Sequence, residues 1–201
     1  ITPRPQYAHQ ASKEERNAFL NNNTKQWNRW KRSGFTIVVQ DESIFQHEVT
    51  IKKVLAKKGS KPRVTVTGSK SRTCVFGAIS DTGKQCFRQY EKCNSDTFID
   101  FSKKLLKCHK RIIYFIDRAP WHLKSKKCRL FFEKYKDRIV IKEFPKGFPE
   151  SNPVESCWRA GKHDDNLGAK FHYSFKEFKL SITKYYRTKK FKKNLYNYLC
   201  E

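Results

Sequence analysis

Two short runs of apolar residues, "FTIVVQD" at 35–41 and "IIYFID" at 112–117, each end in aspartate. Nearly continuous hydrophobicity over so few residues is the pattern of a strand buried on both faces, which calls for helices on both sides of a sheet. At the carboxyl ends of strands in open α/β sheets, side chains project into a crevice, where they are available to a ligand. If the two strands are neighbours, Asp41 and Asp117 sit side by side, and such a pair repels unless something positive lies between. A divalent cation would serve, since Mg²⁺ takes one or two carboxylates together with phosphate oxygens and water. On the residues alone, metal ligand and strand-end turn are equally open readings of these aspartates.

The remaining elements suit a mixed sheet with flanking helices. Between the two runs, "RVTVT" (63–67), "RTCVFGAIS" (72–80) and "QCFRQY" (85–90) read as antiparallel strands, with "DTGK" as the turn between the last two. "NSDTFIDFSKKLLKCHK" reads as a helix capped by Asn94 or Ser95, with Phe98, Phe101 and Leu105 on one face. A further helix is expected from Pro120 to about Tyr135, then the strand "RIVIKEF", then helices near 153–163 and 174–187. At the N-terminus, "ITPRPQYAHQ" reads as an extended lead-in. Residues 12–31 suit one or two short docking helices, with Trp27 and Trp30 as core anchors.

Lys and Arg outnumber Asp and Glu by 44 to 19, and a net charge of +25 exceeds what solubility requires, so a polyanion, nucleic acid first, is the expected partner. The charge is uneven. Lys52, Lys53, Lys57, Lys58, Lys61, Arg63, Lys70 and Arg72 fall in a stretch, residues 49–73, that holds no acid. In "KYYRTKKFKK" (184–193) basic residues alternate with aromatics, which suits either base stacking or, preferably, a helix with its rings inward. Seven cysteines, an odd number with no Cys-x-x-Cys pair, argue against a disulfide framework and a structural zinc site, and for a reducing compartment. No apolar run approaches the ~18 residues of a membrane span. The expected location is therefore intracellular, on DNA. Because the sequence starts at Ile1 and lacks methionine, a fragment or processed product with a region upstream is expected.

The segment "FPKGFPESNPVESCW" (144–158) poses a choice. Asn152, Pro153 and Glu155 occupy N-cap, N1 and N3 of a helix, the pattern of a capping box in which Glu155 reaches back to the N-cap amide. A carboxylate fixed in a first helical turn behind a rigid proline equally suits a metal site. "HDD" at 163–165 reads as a solvated loop or helix end.

Taken in order, "VVQDESIF", "KKGSKPRV" with "CVFGAIS", "FIDRAPWH" and "FPESNPVESCW" resemble the catalytic domain of mariner-type transposases and their bacterial insertion-sequence relatives, within the DDE transposase and integrase superfamily. The resemblance covers roughly residues 1–175. It implies an RNase H-like α/β fold, a mixed sheet of three antiparallel and two parallel strands flanked by helices. It divides the chain into a linker remnant with docking helices (1–31), the catalytic domain (32–175) and a basic helical extension (176–201). Residue by residue, it implies that Asp41, Asp117 and Glu155 are the catalytic, metal-holding acids. Arg118, His122, Asn152 and Trp158 lie beside them, and the basic residues named above, with Lys124 and Lys162, contact DNA. It further implies two Mg²⁺ ions, with Mn²⁺ as substitute, double-stranded DNA (transposon ends and target) as substrate, a homodimer in the DNA complex, and a separate upstream region for end recognition.

Some positions depart from the family pattern. Arg118 stands where Asn is usual beside the second Asp. Val54 and Leu55 stand where a tryptophan is common, and Gly147-Phe148-Pro149-Glu150-Ser151 replaces Tyr-Ser-Pro-Asp-Leu. None removes a carboxylate. Two competing readings remain: a non-catalytic, domesticated or decayed DNA-binding module, and a structure-selective nuclease of the same fold.

Overall fold

The alternation of side chains along the central strands sorts the hydrophobic residues into two cores, one on each face of the sheet. The computed structural model describes residues 10–201, so nearly all of the proline-containing lead-in lies outside the described residues. The strands are β1 (Thr36–Gln46), β2 (Arg72–Ser80), β3 (Gln85–Tyr90), β4 (Ile112–Ile116) and β5 (Ile139–Glu143), in the order β3-β2-β1-β4-β5. β1, β2 and β3 pair antiparallel, while β4 pairs parallel with both β1 and β5. This is the mixed sheet, three antiparallel strands and two parallel, that the resemblance implies.

Among the described residues seven α-helices cover it: α1 (Lys13–Arg32), α2 (Ser95–Cys108), α3 (Pro120–Leu123), α4 (Lys126–Lys134), α5 (Pro153–Lys162), α6 (Phe175–Thr188) and α7 (Tyr196–Leu199). Ile37, Val39, Val75, Ile113 and Phe115 face one way and pack with Trp30 of α1, Val154 and Trp158 of α5, Phe178 and Ile182 of α6, and Leu199 of α7. Val38, Phe76, Ile112, Tyr114 and Ile116 face the other way and pack with Phe98, Phe101 and Leu105 of α2 and with Phe131 of α4. The 12–31 segment is one continuous helix, started by a closed capping box between Ser12 and Glu15. Asn94, rather than Ser95, caps α2, its side chain accepting from the amide of Thr97. In the 184–193 segment the rings point inward: Tyr186 is buried and stacks on Phe87, with centroids 4.6 Å apart.

Three expectations are corrected. The helix expected over 120–135 is broken into α3 and α4, with Ser125 as N-cap of the second. "RVTVT" forms no strand. The β1–β2 ladder closes at Gln46↔Arg72, and Val64 and Val66 stay half exposed on the connection over residues 47–71, outside every ladder of the sheet. That connection is tied down by side chains and backbone instead. The Glu48 carboxylate accepts from the amides of Val49, Thr67 and Gly68, and Thr50 N donates to Gly168 O. Finally, Cys74 and Cys93 are disulfide-bonded, clamping β2 to the turn before α2, while the other five cysteines are free. An odd cysteine count over irregular spacing carries no signal for a single clamp between segments that meet only after folding.

Gly77, the β2 partner of Asp41, is needed for close approach rather than for a turn. A Cβ there would lie 2.5 Å from the Trp158 ring and 2.7 Å from Phe87. Gly77→Ala should therefore overpack the β2–α5 contact and destabilise by about 1–3 kcal/mol in urea denaturation. A midpoint equal to that of wild type would show that the indole yields freely.

Candidate active site

The register of the parallel pair sets the first two acids. β1 and β4 are aligned through Val39↔Phe115, and two residues beyond that pair on each chain stand Asp41 and Asp117. Asp117 follows the last residue of β4, as expected of a strand-end acid. Asp41 does not end its strand, because β1 runs on to Gln46 along β2, where Asp41↔Gly77 is a ladder pair. Asp41 is thus held from one side by sheet pairing and is open on the other, where β4 has stopped.

The third acid comes from α5. Asn152 caps this helix by accepting from the amide of Val154 at 3.1 Å, and Pro153 occupies its first position. No reciprocal bond from Glu155 to the Asn152 amide closes a capping box. The Glu155 side chain instead lines a cleft of about 300 Å³ with Asp41, Asp117, Asn152, Arg118 and Lys146. A larger groove, about 470 Å³ between β3 and α6, is lined by no carboxylate, so size alone does not mark the site. Lys146 was not legible as a cleft residue. It sits in the proline-glycine turn before α5, whose path depends on the tertiary fold.

Trp158, one helical turn after Glu155, donates from Nε1 to Asp41 Oδ2 at 2.8 Å in a buried contact. On the other face of β1, Glu42 points away from Asp41, as strand alternation requires, and meets His122. His122 Nε2 lies 2.8 Å from Glu42 Oε1, and Nδ1 lies 2.9 Å from Asp117 Oδ1. The ring is fully buried, so contact between His122 and a DNA phosphate is excluded in this arrangement.

Burial pushes the Asp41 carboxyl well above its ordinary range, and the negative charge of Glu155 adds to this, against the opposing pull of the Trp158 hydrogen bond. Burial also raises Glu155, moderated by Lys162 and Arg159 on its own helix. Asp117 goes the other way: although burial works against its charge, His122 and the Ala119 amide hold it below the usual carboxylate value. Burial likewise disfavours a charged His122, but Asp117 and Glu42 outweigh it and bring its pKa up to about 10. Among the described residues, no Lys or Arg forms an ion pair with Asp41, Asp117 or Glu155. The cleft therefore gathers oxygen donors whose charge is left unbalanced on the Asp41 and Glu155 side, a donor set that fits a hard divalent cation.

The basic residues expected to contact DNA fall on several elements. Arg118 is at the cleft wall, Lys124 is exposed on the segment after α3, and Lys53, Lys57, Lys58, Lys61, Arg63, Lys70 and Arg72 are exposed on the 47–71 connection and the start of β2. Lys52 is paired with Asp165 at 2.7 Å, and Lys162 lies over the Phe45 ring at 5.4 Å. Asp165 and Asp164 form no cluster with the three acids; Asp164 caps the amide of Asn166.

Because the Asp41 pKa lies above its unfolded value of 3.8, the folded chain binds this proton more tightly, and stability falls as pH rises from the ordinary carboxylate range through the raised pKa. Asp41→Asn, which keeps an acceptor for Trp158, should then be more stable than wild type at pH 7 in chelator. Each kcal/mol gained would raise Tm by about 2–4 °C. Mn²⁺ should raise Tm of wild type and much less that of the variant. A variant less stable than wild type in chelator would contradict this reading.

Known structures share this arrangement of strands and helices. The chain aligns with the Mos1 transposase paired-end complex with left transposon end at TM-score 0.64 and 16% identity, covering 99% of this chain and 62% of the other. The Mos1 strand transfer complex gives TM-score 0.63 at 16% identity, with coverage of 99% and 62%. The mariner Mos1 paired end complex with Mg gives 0.64 at 17% identity, with coverage of 94% and 60%. At such identities these matches establish a common fold, and the chain spans about three-fifths of the length of those proteins. No curated protein matches the sequence. A family model, described as DDE superfamily endonuclease, matches residues 36–177. Because that match takes in Asp41, Asp117 and Glu155 alike and extends over well more than half of the 201 residues, the chain belongs to the DDE superfamily endonuclease family.

Proposed function

We propose that this chain is the catalytic domain of a mariner-type transposase, which cleaves DNA strands at transposon ends and joins the freed 3′-hydroxyl to target DNA. The observation that carries this reading is the convergence of Asp41, Asp117 and Glu155, unpaired by any Lys or Arg among the described residues, on one open cleft in a strongly basic chain. Family membership and the fold shared with Mos1 complexes support it.

Asp41, Asp117 and Glu155 would hold two Mg²⁺ ions, with Mn²⁺ as substitute. Bound there, the ions supply Lewis-acid activation of the attacking oxygen and stabilisation of the leaving oxygen in an in-line displacement at phosphorus. Asp41, with Oδ2 engaged by Trp158, presents Oδ1. Glu155 enters from a helix whose start is fixed by Asn152 and Pro153, so its carboxylate moves with the helix end rather than with a loop. Arg118 and Lys146, on the cleft wall, are placed to hold phosphates flanking the scissile one. The exposed lysines and arginines of 47–72 extend the basic surface along which duplex DNA would lie, contributing salt-dependent affinity. In the first step water attacks phosphorus and the 3′-oxygen leaves; in the second, that 3′-hydroxyl attacks a target phosphodiester and a target 3′-oxygen leaves. A homodimer bringing two ends together, a separate end-reading region and an intracellular location on DNA belong to the same proposal.

The nuclease of the same fold is the second reading, since the site chemistry of the first step is identical. Supercoiled plasmid and linear duplex DNA, incubated with the chain and Mg²⁺ or Mn²⁺, separate the two. Cleavage with joined products marks a transposase, and cleavage without them a nuclease. Asp41→Asn, Asp117→Asn and Glu155→Gln should each lower the rate by more than about a hundredfold, beyond what losing an outer-shell partner costs. Cleavage that survives chelator, or all three substitutions, would overturn the catalytic assignment.

A further inference from the structure

Glu42, Asp117 and His122 place three metal-binding atom types within 4.8 Å of one another, on the sheet face opposite Asp41 and Trp158. Taken by composition alone, this is a second candidate metal centre. The geometry excludes that use. Both ring nitrogens of His122 are occupied: Nε2 faces Glu42 Oε1 at 2.8 Å, and Nδ1 faces Asp117 Oδ1 at 2.9 Å and the Asp117 carbonyl at 3.2 Å. A histidine ligates through a free lone pair, and neither nitrogen has one to offer here.

We propose that Glu42 and His122 form a positioning relay that fixes the rotamer of Asp117, binding its Oδ1 and leaving Oδ2 to face the cleft, and that neither residue is a metal ligand. The inference rests on the metal-holding role proposed above for Asp117. Every link of the relay is held. The His122 ring packs on Phe98 at 4.2 Å between centroids, and its backbone amide donates to Ala119 O at 3.0 Å. Asp117 Oδ1 also accepts from the Ala119 amide at 3.0 Å. The Glu42 side chain is only 7% exposed, with no other acid–base partner among the described residues.

The arrangement mirrors the one on the opposite face. Trp158 takes one oxygen of Asp41, and His122 takes one oxygen of Asp117. Each aspartate is thereby left with a single outward oxygen. Consecutive residues of one strand perform both tasks, because Asp41 and Glu42 point to opposite faces. Outer-shell partners of this kind orient ligands, and their loss typically weakens metal affinity 10–100-fold.

Calorimetric titration of the full chain with Mn²⁺ tests this, each variant first being matched to wild type by near-UV circular dichroism. Glu42→Ala should weaken Mn²⁺ binding by roughly 10–100-fold at unchanged stoichiometry. Glu42→Gln, whose carbonyl still accepts from Nε2–H, should stay near wild type. At the buried position, His122→Asn, which sets an amide N–H near the place of Nδ1, should retain more affinity than His122→Ala. This pair carries the test if Glu42→Ala does not fold.

Equal affinity in Glu42→Ala and wild type, or in His122→Asn and His122→Ala, would overturn the relay. So would the loss of one bound equivalent in both Glu42 variants, which would make Glu42 a ligand. Absence of Mn²⁺ binding by wild type would instead defeat the metal-holding role of the three acids and take the relay with it, so the two failures are distinguishable.

Discussion

Mutual repulsion of carboxylates in a partly buried cleft is the constraint around which this molecule is arranged. Parallel pairing of β1 and β4 brings Asp41 and Asp117 to the same edge, and α5 adds Glu155 against them. In water three such groups would ionise independently. Here burial and proximity raise Asp41 and Glu155, while His122 keeps Asp117 charged. A fold that sought only stability would not gather buried carboxylates without partners, because desolvating an uncompensated charge is costly. Arg118 and Lys146 line the cleft without pairing with the acids, and most of the other named basic residues are exposed on the surface.

Holding those acids in place uses both faces of the sheet. On one face, Gly77 leaves room for the Trp158 ring, and the indole reaches Asp41. On the other, Glu42 and His122 reach Asp117 from beneath, walled by Phe98. The two large hydrophobic cores thus end in polar contacts at the same sheet edge, so packing of the helices and orientation of the carboxylates are coupled. A loosened α5 would disturb Glu155 and Asp41 together, because Glu155 and Trp158 share that helix.

What could be read in the sequence was what is set locally. The apolar runs identified the two central strands, and the Asn-Pro pair marked the start of α5. What escaped depended on partners distant in the chain. β1 continues past Asp41 because β2 is there to pair with it, and "RVTVT" joins no ladder, the Thr67 and Gly68 amides at its end being taken by the Glu48 carboxylate. The capping box suggested by Asn152 and Glu155 does not close, since Asn152 satisfies the Val154 amide alone and Glu155 turns into the cleft. The pairing of Glu42 with His122 was not visible, because His122 reaches it across eighty positions of sequence. The Cys74–Cys93 bond escaped for the same reason.

The most direct test is anomalous diffraction from crystals of this chain grown with Mn²⁺. Peaks bounded by Asp41 Oδ1, Asp117 Oδ2 and Glu155, with none against Glu42 or His122, are the expected result. A peak between Glu42 and His122, or a cleft that binds no ion while the three acids remain in place, would contradict it.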